Sequence, residues 1–500
     1  MIRCDAVVSE VRNRMPFRYG KAVLTAAPVL HVRLWIETAD RRQAWGLAAD
    51  CLPPLWFDKD PSKSFRQNVE DQILAFRKAR EVYLGLGETA RSAAEIWMEA
   101  HGRLLEEGAG AGLNPLTSSF GGSFLERAMI DALCRLKGVS FLEALKQDLL
   151  GIETSTHLPP GAPKSIICRH TVGLSDPITV GEVPASERID DGLPQALEED
   201  IELYGLKAFK VKVHGEHERD LDRLSRIAAL VHQRCPGGYL VTLDGNEQYG
   251  ELKDVERLLE AVRSKPYGSE FLDSVLYIEQ PLPREAALEP AAAGAVASLS
   301  SWKPVLIDES DGNLDSFQKA VALGYAGVSH KNAKGVFKSL LNRALVLQLN
   351  REEKKGSRKG IPEVMVGKGS KATRKDRAPV YFQTGEDLAT LPVVALQQDL
   401  ASLAALGIEH AERNGHHYFH GLDHLPASEA DSALHAHPDL YEERADSIFL
   451  KIQSGAISLE SILTAGYGYA SEIAFDERTP LDAWSFDRLS MAGKDARERG

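Results

Sequence analysis

Cysteine is scarce in this chain, long apolar runs are missing, and positive charge is outnumbered. The five cysteines in 500 residues are Cys4, Cys51, Cys134, Cys168 and Cys235. Their number is odd and none stand in CxxC spacing, which argues against a disulfide framework or structural zinc site and for a reducing, cytoplasmic setting. No stretch approaches the ~20 apolar residues a bilayer-spanning helix needs, so no membrane partner is expected. An acid at Asp5 and the lack of an apolar core behind it argue against a secretory leader. The net charge of −13 argues against nucleic acid as a partner. What remains is the composition of a globular protein, 43% hydrophobic and 26% charged, too long for one ordinary core.

The first 60 residues read as β structure. Alternation marks strands at 6–11 and 29–36, with a return strand at 41–49. Segments 16–21 and 52–59 bring Phe17, Tyr19 and Trp56 beside charges, either as hairpin turns or as a pair of lid loops. Residues 65–150 read as helical, with helices at 68–83 and 123–145. From 165 onward strand and helix alternate. Strands are expected at 166–172, 208–213, 240–243, 275–278, 305–307, 326–330 and 380–384, most followed by a helical stretch. Strand ends recur at roughly thirty-residue intervals, the βα unit of a parallel barrel. Residues 351–377 break this rhythm with ten Lys/Arg against four acids, as a solvated insertion or a docking surface. A strand is expected at 447–452, a tail around 457–469 is expected to pack on the N-terminal β region, and the polar end from 492 to fray.

The chemistry gathers around strand 209–213. Side chains two apart share a strand face, so Lys210 and Lys212 point the same way. Two buried lysines need anions opposite them. Asp244, Glu279 and Asp308 each close an apolar strand-like run, and in a barrel such positions converge on one mouth. Three carboxylates brought together call for a hard divalent cation, magnesium or else manganese. Lys331 ends a strand across the barrel from Lys212. A lysine on each face of a metal-bound carboxylate suits α-proton transfer, one abstracting and the other returning a proton or supporting charge, with Lys210 steadying the carboxylate. Neighbouring cations are expected to lower the lysine pKa towards neutrality.

In this order, Lys-x-Lys (Lys210, Lys212), Leu-Asp-Gly-Asn (243–246), Ile-Glu-Gln-Pro (278–281), Asp-Glu-Ser (308–310) and Lys331 resemble the enolase superfamily, in particular its mandelate racemase/muconate lactonizing enzyme group. The resemblance implies a modified (β/α)8 TIM-type barrel, class α/β, under an α+β capping domain formed by both termini: a cap at 1–150 completed by 425–500, and a barrel at 160–425 carrying the basic insertion 351–377. It implies Asp244, Glu279 and Asp308 as ligands of Mg2+ (or Mn2+), Lys212 and Lys331 as the acid/base pair, and Lys210 as their support. Segments 16–21 and 52–59 take the place of its lid loops, giving Phe17, Tyr19 and Trp56 as substrate-binding candidates, with Gln383 and Glu386 near a later strand end. After Lys331 the family carries a double glycine, whereas this chain has Asn332-Ala333-Lys334-Gly335. The histidines at 410, 416, 417, 420 and 424 show no short ligand spacing and are expected to be solvated or at helix ends. The function expected is a racemase or epimerase acting on a small carboxylate, an amino-acid derivative such as a dipeptide or N-acyl amino acid, in a homo-oligomer. The alternatives are a lyase (cycloisomerase or syn-dehydratase) at the same site, or a silent barrel that serves as a binding protein.

Overall fold

The computed structural model describes residues 1–87, 89–153, 158–159, 161–355, 380–464 and 466–491. Three antiparallel strands open the chain: β1 (Arg3–Tyr19), β2 (Ala22–Glu37) and β3 (Gln43–Cys51). A short strand, Thr479–Pro480, adds to β1 through Val7 and Val8. Three helices follow: α1 (Phe65–Leu86), α2 (Ala93–Gly110) and α3 (Pro115–Lys137). Ser64 and Gln67 form a capping box at the start of α1, and Asn114 caps α3 ahead of Pro115; both satisfy amides that a helix start leaves unpaired. Gly138, at φ 65°, stops α3, so the helical stretch expected at 123–145 is two elements, α3 and the short helix Phe141–Lys146. The terminal segment also reaches α3, where Asp131 accepts from the Tyr467 amide and the Tyr469 hydroxyl.

The cap sheet lies directly on α3. A Cβ at Gly46 would stand 2.3 Å from both Ala128 O and Ala132 N. Gly46→Ala is therefore expected to lower stability by about 1–3 kcal/mol, read as a lower urea midpoint.

The barrel is closed by eight parallel strands: β4 (Ser165–Val172), β5 (Ala208–Lys212), β6 (Leu240–Asp244), β7 (Val275–Glu279), β8 (Val305–Ile307), β9 (Gly327–His330), β10 (Phe382–Gly385) and β11 (His410–Arg413). β11 pairs with β4, Glu412 opposite Arg169, which closes the ring. Sequence patterning anticipates seven of these strands. It misses β11, whose His-Ala-Glu-Arg has a single apolar residue. Strand Ala456–Ser458 joins β4 from outside, antiparallel. Segment 16–21 is not a free loop but the tip of the β1–β2 hairpin, with a register shift between Arg12 and Phe17. Of the basic insertion, 356–377 lies outside the described residues, as do 492–500. Among the described residues no helix is long and apolar enough to cross a membrane.

Candidate active site

β5 is buried along its length. Phe209 and Val211 join the apolar core, and the alternate residues Lys210 and Lys212 turn to the barrel interior. Register then aligns the strand ends: Lys212 opposite Asp244, and Asp244 opposite Glu279. The Lys210 ammonium lies among four carboxylates: Asp244 at 2.9 Å, Glu279 at 2.8 Å, Glu386 at 2.7 Å and Glu412 at 2.8 Å. Burial pulls its pKa down, but Asp244 and Glu279, then Glu386 and Glu412, outweigh it and hold the ammonium well above its ordinary value. Lys212 donates to Asp244 Oδ2 at 2.6 Å. Opposite, Lys331 donates to Asp308 Oδ2 at 2.7 Å and sits 4.2 Å from the centre of the Trp56 ring.

The six expected charged residues thus meet at one end of the barrel. One expectation about them fails. Lys331 is raised rather than lowered: burial acts downward, but Asp308 lies closer than any neighbouring cation and prevails. The carboxylates divide in the same way. Asp308 is held well below its usual range, because Lys331, Lys334 and Lys210 overcome its burial. Glu279 is pushed well above its usual range by burial and by Asp244 and Glu386.

Of the five substrate-binding candidates, Phe17, Tyr19 and Trp56 line a small cavity with Lys212, Lys331, Asn246, Asp387 and Glu412. Tyr19 ties the two segments together by donating to Pro54 O at 2.8 Å, and Phe17 stacks on Tyr418, just beyond β11, with ring centres 4.2 Å apart. Arg284 fastens segment 52–59 to the barrel through Trp56 O and Phe57 O, both at 2.8 Å. Gln383 and Glu386 do not line this cavity. Gln383 donates outward to Ser339 O at 3.0 Å. Glu386 is drawn below the mouth by Arg169 at 2.6 Å and the Tyr277 hydroxyl at 2.9 Å.

Sequence reading missed four residues of the site: Glu412, Arg169, Lys334 and Asp387. Glu412 carried one usable signal, an acid near the end of a segment that continues the thirty-residue rhythm. Arg169, on β4, carried none; only barrel closure brings it to Glu386. The histidines also depart from expectation. His416 and His417 are buried, with His416 bonded to His170 at 3.0 Å and His417 to Asp200 at 3.2 Å. His170, Asp200 and His416 place donor atoms within 4.8 Å of one another. That imidazole-rich set lies on the outer face of β4, and its ligand chemistry suits zinc-like metals rather than magnesium.

No protein-family model matches the chain, and no curated protein matches it. Solved structures do. A mandelate racemase/muconate lactonizing protein from Herpetosiphon aurantiacus is 16% identical over 94% of this chain and 98% of its own, with a TM-score of 0.57. A dipeptide epimerase from Cytophaga hutchinsonii, complexed with Mg and the dipeptide D-Ala-L-Val, is 14% identical over 95% and 98%, with a TM-score of 0.57. A muconate lactonizing enzyme from Pseudomonas fluorescens, complexed with muconolactone, is 13% identical over 94% and 96%, with a TM-score of 0.57. With its closed eight-stranded barrel under a cap from both termini, the chain has the fold of these mandelate racemase/muconate lactonizing enzyme structures.

Proposed function

We propose that this chain is a magnesium-dependent enzyme that removes the α-proton of a small carboxylate and returns one to the opposite face, a racemase or epimerase. The observation that carries this reading is the placement of Lys212 and Lys331. They come from β5 and from the end of β9, four strands apart around the ring, and face one cavity. Asp244, Glu279 and Asp308 stand at the ends of the three strands between them.

These acids fit a hard divalent cation. Glu279 is fully buried beside Asp244 and Glu386, with Lys210 as its ion-pair partner at 2.8 Å among the described residues. All-oxygen donors favour magnesium or manganese. Asp244, Glu279 and Asp308 would hold the cation, which would supply charge stabilisation for the substrate carboxylate. The remaining work falls to the side chains. Lys210, tied to four acids, serves as fixed positive charge beside the carboxylate. Lys212 and Lys331 exchange protons at the α-carbon, one for each face. Phe17, Tyr19 and Trp56 exclude water above it.

The cavity also bears on the substrate. Its two acids are already engaged: Glu412 by Lys210 and the Thr171 hydroxyl, Asp387 by the amides of Thr390 and Asn414. Leu24, Pro53, Leu388 and Ala389 complete an apolar wall. An ammonium would have to share these carboxylates with the donors already on them, so among amino-acid derivatives an N-acyl amino acid suits this apolar wall better than a dipeptide with a free amine.

The test is incubation of N-acyl amino acids in deuterated buffer with Mg2+. Incorporation of α-deuterium, lost in Asp244→Asn, is the expected result. Elimination or cyclisation products without α-deuterium would replace this reading with the lyase one. Absence of turnover together with no calorimetric Mg2+ binding and no effect of Asp244→Asn would favour the binding-protein reading instead.

A further inference from the structure

We propose that Lys334 is a positioning residue that weakens and thereby sets the affinity of the carboxylate site for its divalent cation; this rests on the magnesium reading above. Lys334 lies three residues after Lys331. Its side chain is fully buried, with Nζ 3.3 Å from Asp308 Oδ1 and 3.1 Å from Asp311 Oδ2. It donates to the Ser329 hydroxyl at 2.7 Å and to Asp308 O at 3.3 Å. Lys331 holds the other oxygen, Oδ2, of the same carboxylate. Both oxygens of Asp308 therefore face an ammonium, whereas Glu279 has only Lys210 among its ion-pair partners in the described residues.

The turn that carries Lys334 is braced from the cap. Asn332–Lys334 form a single 3-10 turn, and Gly335 at φ 106° leads into helix Val336–Lys355. Glu126 of α3 accepts from the Phe337 amide at the start of that helix. Its Oε2 would lie 3.2 Å from a Cβ at Gly335. The ammonium thus cannot easily swing clear when a cation arrives. Lys338, 3.3 Å from Asp311 Oδ2, competes for Asp311 and leaves Lys334 shared with Asp308.

A fixed positive charge against one ligand carboxylate opposes a second positive charge at the same carboxylate, and burial leaves this repulsion poorly screened. Removing the Lys334 charge while keeping the side-chain length should therefore tighten cation binding, the opposite of what loss of a merely structural contact does.

The experiment is calorimetric titration of the metal-free full chain with MgCl2 at constant ionic strength, with the Mg2+-induced rise in Tm as a second readout. Lys334→Met is expected to bind Mg2+ about tenfold or more tightly than the parent and to show a larger Mg2+-induced rise in Tm. Lys334→Arg, which keeps the charge, should stay near the parent. Asp311→Asn should bind more weakly, because it removes a nearby negative charge and leaves Lys334 to Asp308. Equal or weaker binding by Lys334→Met overturns the proposal. Should that variant fail to fold, unchanged or tighter binding by Asp311→Asn overturns it instead. A parent that binds no Mg2+ at all brings down the magnesium reading on which the proposal rests.

Discussion

Lys331→Met and Lys212→Met are each expected to lose racemisation by about 10²–10⁴-fold while the fold survives. Both lysines are buried, Lys331 at 3% exposure and Lys212 at 5%, and methionine matches much of their length without the ammonium. Asp308 would keep Ser329 and Lys334 as partners after loss of Lys331. Asp244 would keep Lys210 and the Asn246 amide after loss of Lys212. Neither substitution leaves an acid without a partner, so the circular-dichroism melt should shift little compared with the fall in rate.

The informative feature is asymmetry. If one lysine serves each face, each variant should still wash deuterium into one enantiomer and not the other, and the two variants should favour opposite enantiomers. A variant that exchanges both enantiomers at the parent rate would remove that lysine from the chemistry. If only one lysine affects exchange while product still forms, the lyase reading takes over.

Arg169→Met is expected to cost about 3–5 kcal/mol of folding stability, the usual penalty for removing one partner of a buried ion pair. Arg169 is completely buried. It donates to Glu386 Oε1 at 2.6 Å, Thr242 Oγ1 at 2.8 Å and Gly385 O at 2.8 Å, linking β4, β6 and β10 beneath the lysine–carboxylate cluster. Loss of its charge leaves Glu386 to Lys210, which three other acids already share. Arg169→Met with Glu386→Gln should recover much of the loss, because the excess buried negative charge is then gone.

The pH dependence has a definite sign. Burial raises the Glu386 pKa, but Arg169 and then Lys210 outweigh it, so the folded value lies below the ordinary one. The stabilisation it represents is present above the unfolded carboxylate pKa of about 4.3 and is lost as pH falls through the folded value. The gap between parent and Arg169→Met in urea midpoint should therefore narrow at acid pH. A single variant within about 1 kcal/mol of the parent at neutral pH would mean that Arg169 does not compensate Glu386.

The other end of this network shows where sequence reading succeeds and where it stops. Lys210 and Lys212 could be placed on one face because strand alternation is a local property of two residues and one intervening one. Asp244, Glu279 and Asp308 could be placed at strand ends because apolar runs precede them at regular spacing. Lys331 shares that legibility. Phe17, Tyr19 and Trp56 were legible as aromatics set among turn residues, although 16–21 proved to be a hairpin tip rather than a loop.

Glu412 was not legible, since β11 has too few apolar residues to announce a strand. Glu386 was legible as an acid at a strand end, but not its direction. Local pattern would aim it at the cavity, whereas Arg169, 217 residues away, draws it beneath. Lys334 read as a departure from a double glycine, and only the packing of its turn against Asp308 and Glu126 gives it a chemical setting.

Alone, then, the sequence determined the alternation of strand and helix and which side chains occupy the interior face, because both follow from short-range periodicity. The tertiary structure decided which buried charges neutralise one another. That depends on closure of the ring between β11 and β4, which sets Lys210 against Glu412, 202 residues away, at 2.8 Å. In a low-dielectric interior the partner of each charge, rather than its residue type, sets whether it holds or moves a proton.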